Sequence, residues 1–114
     1  MENLNKARVN IMVSNMDKAI SFYIDQLGLK LVNRYGDHYA EVDAKGFMIG
    51  LHPNNKNTKT GNNISIGLGV FNFEQTIANL EAKGIKFKIE NEGYIRLAHF
   101  TDSDGNLLFL AENS

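Results

Sequence analysis

The sequence predicts an α+β fold made of two tandem modules, each with the element order βαβββ. The first observation behind this prediction is an internal repeat, because residues 13–31 return in shortened form about 57 positions later as residues 70–87. The second is that matching residues fall where a strand, a helix cap, a helix face and a helix stop need them. The matched pairs are Val13 with Val70, Asn15 with Asn72, Asp17 with Glu74, Ile20 with Ile77 and Gly28 with Gly84.

The composition predicts one soluble globular domain covering residues 1–114. Its 43% hydrophobic and 22% charged residues are typical of neither a disordered chain nor a membrane span. A formal net charge of -1 leaves no basic excess for nucleic acid. The chain has no cysteine, which excludes disulfides and thiolate metal sites. Residues 1–13 lack the organisation of a secretion signal, so we expect a cytoplasmic protein without membrane or nucleic-acid partners.

Module one, about residues 5–52, begins with a strand and a helix. Residues 8–13 alternate between apolar and polar side chains, which is typical of a strand. Ser14 or Asn15 then offers an oxygen to cap a helix, whose apolar residues recur at helical spacing up to Gly28. Three further strands, separated by turn residues, are predicted at 29–35, 38–42 and 47–52.

Module two, about residues 63–113, repeats this order after a connector. Residues 53–62 are polar and hold the only proline, so we expect a linker without a function of its own. A helix is predicted to be capped by Asn72 and to end at Gly84. The strands of this module are predicted at 64–70, 85–89, 95–101 and 107–112.

Each helix must cover an apolar sheet face, which leaves the other face available for binding. The predicted core of the sheets is Val9, Ile11, Val13, Phe47, Ile49, Leu51, Ile64, Ile66, Leu68, Leu108 and Leu110. If each module curls its mixed sheet, the two second faces enclose a cleft, with one helix per module outside. The ligand-binding residues predicted there are Arg8, Asn10, Met12, Tyr39, Glu41, Met48, His52, Ser65 and Phe109. Their apolar members suit a flat or aliphatic ligand, or else only pack between modules or subunits.

Three stretches of the sequence point to a family. They are residues 13–23, Leu27-Gly-Leu29 and the late turn Asp102-Ser-Asp-Gly-Asn106. With the duplicated modules around them, the chain resembles the vicinal-oxygen-chelate superfamily, which includes glyoxalase I, bleomycin-resistance proteins and extradiol dioxygenases. The late turn is similar to the Asp-Pro-Asp-Gly-Asn of that family. The resemblance covers essentially the whole chain and implies the fold, whereas the superfamily hosts many chemistries on one scaffold.

The resemblance also implies four positions for the ligands of a divalent metal, typically His and Glu. In this sequence they fall at Arg8, Gly50, Ser65 and Phe109. An arginine is always cationic, glycine and phenylalanine have no side-chain donor, and a neutral serine is a poor ligand. We therefore expect no metal and no other cofactor.

The histidines and Arg8 leave several interpretations open. His38, His52 and His99 fall on different predicted strands and follow no ligand spacing, so they are either ordinary polar residues or, for His52, an acid or base. Arg8 either binds a carboxylate or phosphate of a ligand, pairs with Glu41, or lies at the solvent rim.

The sequence favours a metal-free protein that binds a small organic ligand in the cleft without converting it, as the resemblance to bleomycin-resistance proteins implies. No catalytic residue is assigned. The alternative is an enzyme of the same superfamily, lyase, isomerase or dioxygenase-like, with a non-standard metal site or one recruited through His52 and Glu41. A third hypothesis buries the mixed face in a subunit interface. Exposed sheet edges favour a homodimer in every case.

Overall fold

The computed structural model describes residues 2–5, 7–54, 64–91, 93 and 95–112. Its strands are β1 (Arg8–Val13), β2 (Lys30–Tyr35), β3 (Tyr39–Ala44), β4 (Phe47–Pro53), β5 (Ser65–Val70), β6 (Lys88–Asn91), β7 (Arg96–Thr101) and β8 (Leu107–Glu112). Its helices are α1 (Met16–Ile20), continued by a π-helical segment (Ser21–Gln26), and α2 (Phe73–Glu81). These elements confirm the predicted α+β fold with two βαβββ modules. Residues 55–62 of the predicted connector lie outside the described residues.

The chain divides into two compact units, unit one (Met1–Thr60) and unit two (Gly61–Ser114). Each unit holds a four-stranded mixed sheet, with the order β1-β4-β3-β2 in unit one and β5-β8-β7-β6 in unit two. In each, the first strand pairs in parallel with the last, and the other pairs are antiparallel. Among the described helices, none is long and apolar enough to span a bilayer.

The first helix begins and ends at the predicted residues but changes from α-helical to π-helical hydrogen bonding between them. Asn15 has an extended backbone, and its Oδ1 accepts a hydrogen bond from the Lys18 amide at 2.9 Å, which confirms the cap. Near the other end, Leu27 N donates to Phe22 O at 2.8 Å, a π-helical bond. The wider turn accommodates two consecutive buried aromatic residues, Phe22 and Tyr23, whose ring centroids lie 5.1 Å apart.

The predicted side-chain cap of α2 is wrong. Asn72 has a left-handed backbone with φ 51°, whereas a capping side chain requires an extended one. Within the described residues, its side chain makes no capping hydrogen bond. Asparagine adopts this conformation more readily than most residues other than glycine. The Thr76 amide donates to the Asn72 carbonyl at 2.9 Å and closes the first turn, and the Thr76 hydroxyl donates to the same carbonyl at 3.0 Å.

The buried core follows the predicted sheet face, except at strand ends. Seven of the predicted residues are buried: Ile11, Val13, Ile49, Leu51, Ile66, Leu108 and Leu110. Phe47 and Ile64 were expected in the core but are 43% and 41% exposed, because one begins β4 and the other precedes β5. Central strands add four buried residues that the sequence analysis left out: Ala40, Val42, Ala98 and Phe100.

In each unit an arginine of the sheet binds the acidic residue in the first turn of the helix. Arg34 Nη2 lies 2.6 Å from Asp17 Oδ1 in unit one, and Arg96 Nη1 lies 3.1 Å from Glu74 Oε1 in unit two. Arg96 also binds Glu112, with Nη2 2.8 Å from Oε2. This hydrogen bond is the main reason that the pKa of Glu112 is lowered, despite the opposing effect of desolvation.

We expect Arg96→Met to lower the free energy of unfolding at neutral pH and to make this free energy depend less on pH in the acidic range. The lowered pKa of Glu112 means that its carboxylate stabilises the fold above its usual pKa of 4.5, and this stabilisation is lost as the pH falls through the folded value. Urea unfolding between neutral pH and about pH 3 measures both effects. Lys18→Met is the control, since in the described part of the chain the Lys18 side chain forms no ion pair. Parallel pH curves for Arg96→Met and the parent would contradict the prediction.

Candidate functional site

The strands of unit one present a polar face opposite their buried apolar face. Strand pairing places Asn10 beside Gly50, Gly50 beside Glu41, and Glu41 beside Asn33 in one row across all four strands. Residues two positions away along each strand share this side of the sheet. We call the following set the polar face of unit one: Arg8, Asn10, Met12, Asn33, Tyr35, Tyr39, Glu41, Asp43, Met48, Gly50 and His52.

The middle of this face is built around a glycine. The Tyr39 hydroxyl donates a hydrogen bond to Asn10 Oδ1 at 2.9 Å, and this bonded pair lies over Gly50. A Cβ at Gly50 would lie 2.1 Å from Asn10 Oδ1 and 2.2 Å from the Tyr39 hydroxyl oxygen. The space that a side chain on residue 50 would use is therefore filled by groups from two neighbouring strands.

Next to this pair lies a buried carboxylate. Glu41 is 6% exposed, and its Oε1 accepts a hydrogen bond from Asn33 Nδ2 at 2.9 Å. Its Oε2 lies 3.9 Å from Arg8 Nη1, which is a charge contact longer than a hydrogen bond. The guanidinium of Arg8 also lies over the Tyr39 ring, 5.4 Å from its centroid, while 45% of the Arg8 side chain stays exposed. Of the alternatives left open for Arg8, the contact with Glu41 therefore exists, but it is loose.

Three rings cross the polar face in a second row. Tyr35 and Tyr39 are stacked with centroids 6.5 Å apart, and the His52 ring meets Tyr39 edge-on at 6.3 Å. His52 Nδ1 lies 2.8 Å from the Pro53 carbonyl oxygen. Because a carbonyl only accepts hydrogen bonds, Nδ1 carries the proton, and in the neutral ring Nε2 is the acceptor.

Unit two carries different side chains at the equivalent positions. Ser65 begins β5, and the Phe109 ring lies over Gly67, where an added Cβ would be 2.3 Å from Phe109 Cζ. The His99 ring lies 6.0 Å from Phe109, and its Nε2 is 2.9 Å from Glu90 Oε1. This histidine–carboxylate pair was not predicted, because Glu90 lies just beyond the predicted strand 85–89 and is only the diagonal neighbour of His99 across the strands.

Other predictions for this face need correction. His38 was placed on a strand but lies in the turn between β2 and β3, where its amide donates to the Tyr35 carbonyl at 2.9 Å. Asn33 and Tyr35 were not predicted on the polar face. A register shift between Leu31 and Asn33 changes which β2 residues share that face, and simple alternation does not reveal it.

The donor chemistry of the four metal positions suggested by the resemblance does not fit a metal. Arg8 and Gly50 lie in unit one, and Ser65 and Phe109 lie in unit two. The hydroxyl of Ser65 is the only side-chain oxygen among these four residues. In residues 2–5, 7–54, 64–91, 93 and 95–112, no group of three or more His, Asp or Glu side chains is placed to hold a metal ion.

Comparisons with a family model and with solved structures agree on one superfamily. Residues 6–110 match the family model described as Glyoxalase/Bleomycin resistance protein/Dioxygenase superfamily. The fold is similar to that of TnmS3, an antibiotic binding protein from Streptomyces sp. CB03234, with a TM-score of 0.81, 22% identity and 98% of each chain covered. A superfamily member from Sphaerobacter thermophilus has a TM-score of 0.79 and 24% identity over 99% of this chain and 100% of its own.

A third solved structure, a glyoxalase/bleomycin resistance protein/dioxygenase from Alicyclobacillus acidocaldarius, has a TM-score of 0.75 and 21% identity, covering 95% of this chain and 90% of its own. At these identities the structural likeness establishes the fold alone. No protein of curated function matches the chain.

We expect Gly50→Ala to destabilise the protein by about 1–3 kcal/mol, because the new methyl group forces the Tyr39 hydroxyl and the Asn10 amide apart. Urea unfolding measures the change. Gly69→Ala is the matched control, since a Cβ on this second strand glycine meets no atom within 4 Å. Equal stabilities of the two variants would show that the contacts over Gly50 impose no constraint.

Proposed function

The chain belongs to the Glyoxalase/Bleomycin resistance protein/Dioxygenase superfamily, and from this membership we propose that it binds a small organic molecule without a metal and without converting it. The polar face of unit one is the proposed binding surface. The observation that carries the proposal is the hydrogen-bonded pair of Tyr39 and Asn10 over Gly50. This pair occupies the space over Gly50, one of the positions implied for a metal ligand, with a hydroxyl and an amide that can hydrogen-bond to a ligand.

The chemistry of the polar face supports binding rather than conversion. It offers a cation at Arg8, an amide at Asn10 and an aromatic ring at Tyr39, which together suit an orienting role. The buried carboxylate of Glu41 is engaged by Asn33 and faces Arg8, so it is poorly placed to act as a base. TnmS3, an antibiotic binding protein, gives a precedent for binding on this fold.

A second candidate function is an enzyme of the same superfamily that uses His52. The observation in its favour is the hydrogen bond from His52 Nδ1 to the Pro53 carbonyl, because it fixes the tautomer and gives Nε2 a lone pair. The same nitrogen also suits a recruited metal. We rank this function second, since Glu41, the partner expected for His52, already contacts Asn33 and Arg8.

Self-association remains part of the proposal. All six residues of β2 are exposed, although they include Leu31 and Val32, and β2 is an edge strand of its sheet. Edge strands with apolar side chains favour pairing with another chain. We therefore propose a homodimer. From the sequence we also propose that the protein is cytoplasmic and that residues 1–114 act as a single functional domain.

The metal-free proposal predicts that dialysis against zinc, nickel, manganese or ferrous ions, followed by buffer, leaves far less than one metal per chain. The reason is the lack of a suitable donor set at the four implied positions. Elemental analysis measures the metal content. Tight stoichiometric metal would end the proposal, and its loss in His52→Ala would identify the recruited site of the second candidate.

Binding without turnover predicts that His52→Ala keeps the fold and that neither the parent nor this variant converts a bound compound. A ligand found by thermal-shift screening is incubated with the parent and with the variant, and mass spectrometry follows its chemical integrity. Conversion by the parent alone would favour the enzyme. Lys18→Met controls for nonspecific effects of a substitution and of purification, because it should behave as the parent does.

A further inference from the structure

We infer that the ligand of the polar face of unit one is an aromatic molecule with a single carboxylate. This inference rests on the proposed function and adds the chemical class of the ligand. Three features of the face lead to this inference: the unused hydrogen-bond donors of Arg8, the charge of Glu41 beside Arg8, and the row of rings that ends in Tyr35.

Arg8 is held in place without using its hydrogen-bond donors. In the described part of the chain its guanidinium forms no hydrogen bond, and its contacts are the Tyr39 ring at 5.4 Å and Glu41 Oε2 at 3.9 Å. A guanidinium presents its N–H groups as a planar fork that matches a carboxylate. The ring and the buried acid thus orient a cation whose fork is available to a ligand.

Glu41 limits the charge that the ligand can carry. Its buried carboxylate lies on the same face and offsets part of the positive charge of Arg8. A monoanionic ligand on Arg8 places one negative charge near Glu41 and a dianion places two, so repulsion from Glu41 in a region of low dielectric disfavours the dianion more strongly. The face therefore favours a carboxylate over a phosphate monoester.

Asn10 adds a donor beside the same cation. Its Oδ1 accepts the hydrogen bond of the Tyr39 hydroxyl, so the end of the amide left for a ligand is Nδ2, which donates. Together with the fork of Arg8, this makes the centre of the face a donor surface. Such a surface binds an acceptor oxygen and does not suit an ammonium group.

The aromatic part of the ligand follows from Tyr35. This residue ends β2, is 57% exposed, and lies nearly parallel to Tyr39 with 20° between the ring planes. An exposed ring that is already aligned by a stacked neighbour offers a flat surface at low entropic cost. A ligand that places its aromatic ring on Tyr35 and Tyr39 and directs its carboxylate to Arg8 uses all three features.

The inference is tested with 2-naphthoate as the probe, titrated into ¹⁵N-labelled protein. We expect the amide resonances of Arg8, Asn10 and Tyr39 to shift. Four comparison probes each lack one feature: decahydro-2-naphthoate the aromaticity, 2-naphthamide the charge, 2-naphthyl phosphate the single charge, and 2-naphthylmethylammonium the negative sign. Each is expected to bind more weakly than 2-naphthoate by about tenfold or more.

Variants assign the effect to the residues. Arg8→Lys keeps the charge beside Glu41, and hence the fold, but removes the fork, so affinity for 2-naphthoate should fall by about tenfold. Tyr35→Leu should cause a similar loss, about fivefold or more, by removing the stacking surface. Lys18→Met and Phe71→Leu are the matched controls, since they remove an exposed cation and a 67% exposed ring that are not among the residues of the polar face of unit one.

The outcomes separate this inference from the proposed function. Equal or tighter binding of the amide, the phosphate or the ammonium probe at the same resonances would overturn the inference, while the proposed function would stand. Absence of any shift with 2-naphthoate would also overturn it. The proposed function itself fails if a diverse fragment library shifts no resonance of the polar face.

Discussion

The close approach over Gly50 is the constraint on which the polar face of unit one depends. Only a residue without a side chain lets the Tyr39 hydroxyl and Asn10 Oδ1 meet directly above the central strand. This bond fixes the Tyr39 ring, and the ring in turn lies under the Arg8 guanidinium and beside Tyr35. The absence of a side chain at Gly50 on β4 thereby helps to position functional groups from the other three strands, β1, β2 and β3.

The two units show which parts of the repeat are free to change. On the helix side both units bind the first-turn acid of the helix with an arginine, although from strands that are not equivalent: Arg34 of β2 binds Asp17, and Arg96 of β7 binds Glu74. On the other side the equivalent rows read Asn10, Gly50, Glu41 and Asn33 in unit one, and Gly67, Phe109, His99 and Lys88 in unit two. Helix packing preserves the first face, while the second face can diverge because the core does not depend on it.

The sequence predicted most elements because burial imposes clear periods on β1, β4 and β8, and because Asn15 and Gly28 have the residue types that helix ends require. It did not predict the π-helical segment, which depends on the packing of Phe22 and Tyr23 together, or the left-handed Asn72. On the candidate site, the positions of Arg8, Tyr39 and Glu41 were expected. Asn33 and Tyr35 were not, since a register shift is a property of paired strands that a single strand does not encode. The cleft between the modules stays a prediction.

On the proposed function, a guanidinium at one of the positions implied for a metal ligand changes what the scaffold can do with a bound molecule. A metal ion with open coordination positions polarises an oxygen strongly and can activate water. An arginine at position 8 supplies a permanent single charge and directional donors, and its cation cannot take part in proton transfer near neutral pH. Glu41 then serves to hold and partly offset this charge, which is why its burial beside Arg8 and Asn33 is tolerated. On the proposed function, unit one has exchanged activation of a ligand for its orientation, and selectivity then follows from how well the charge and the plane of the ligand match Arg8 and Tyr35.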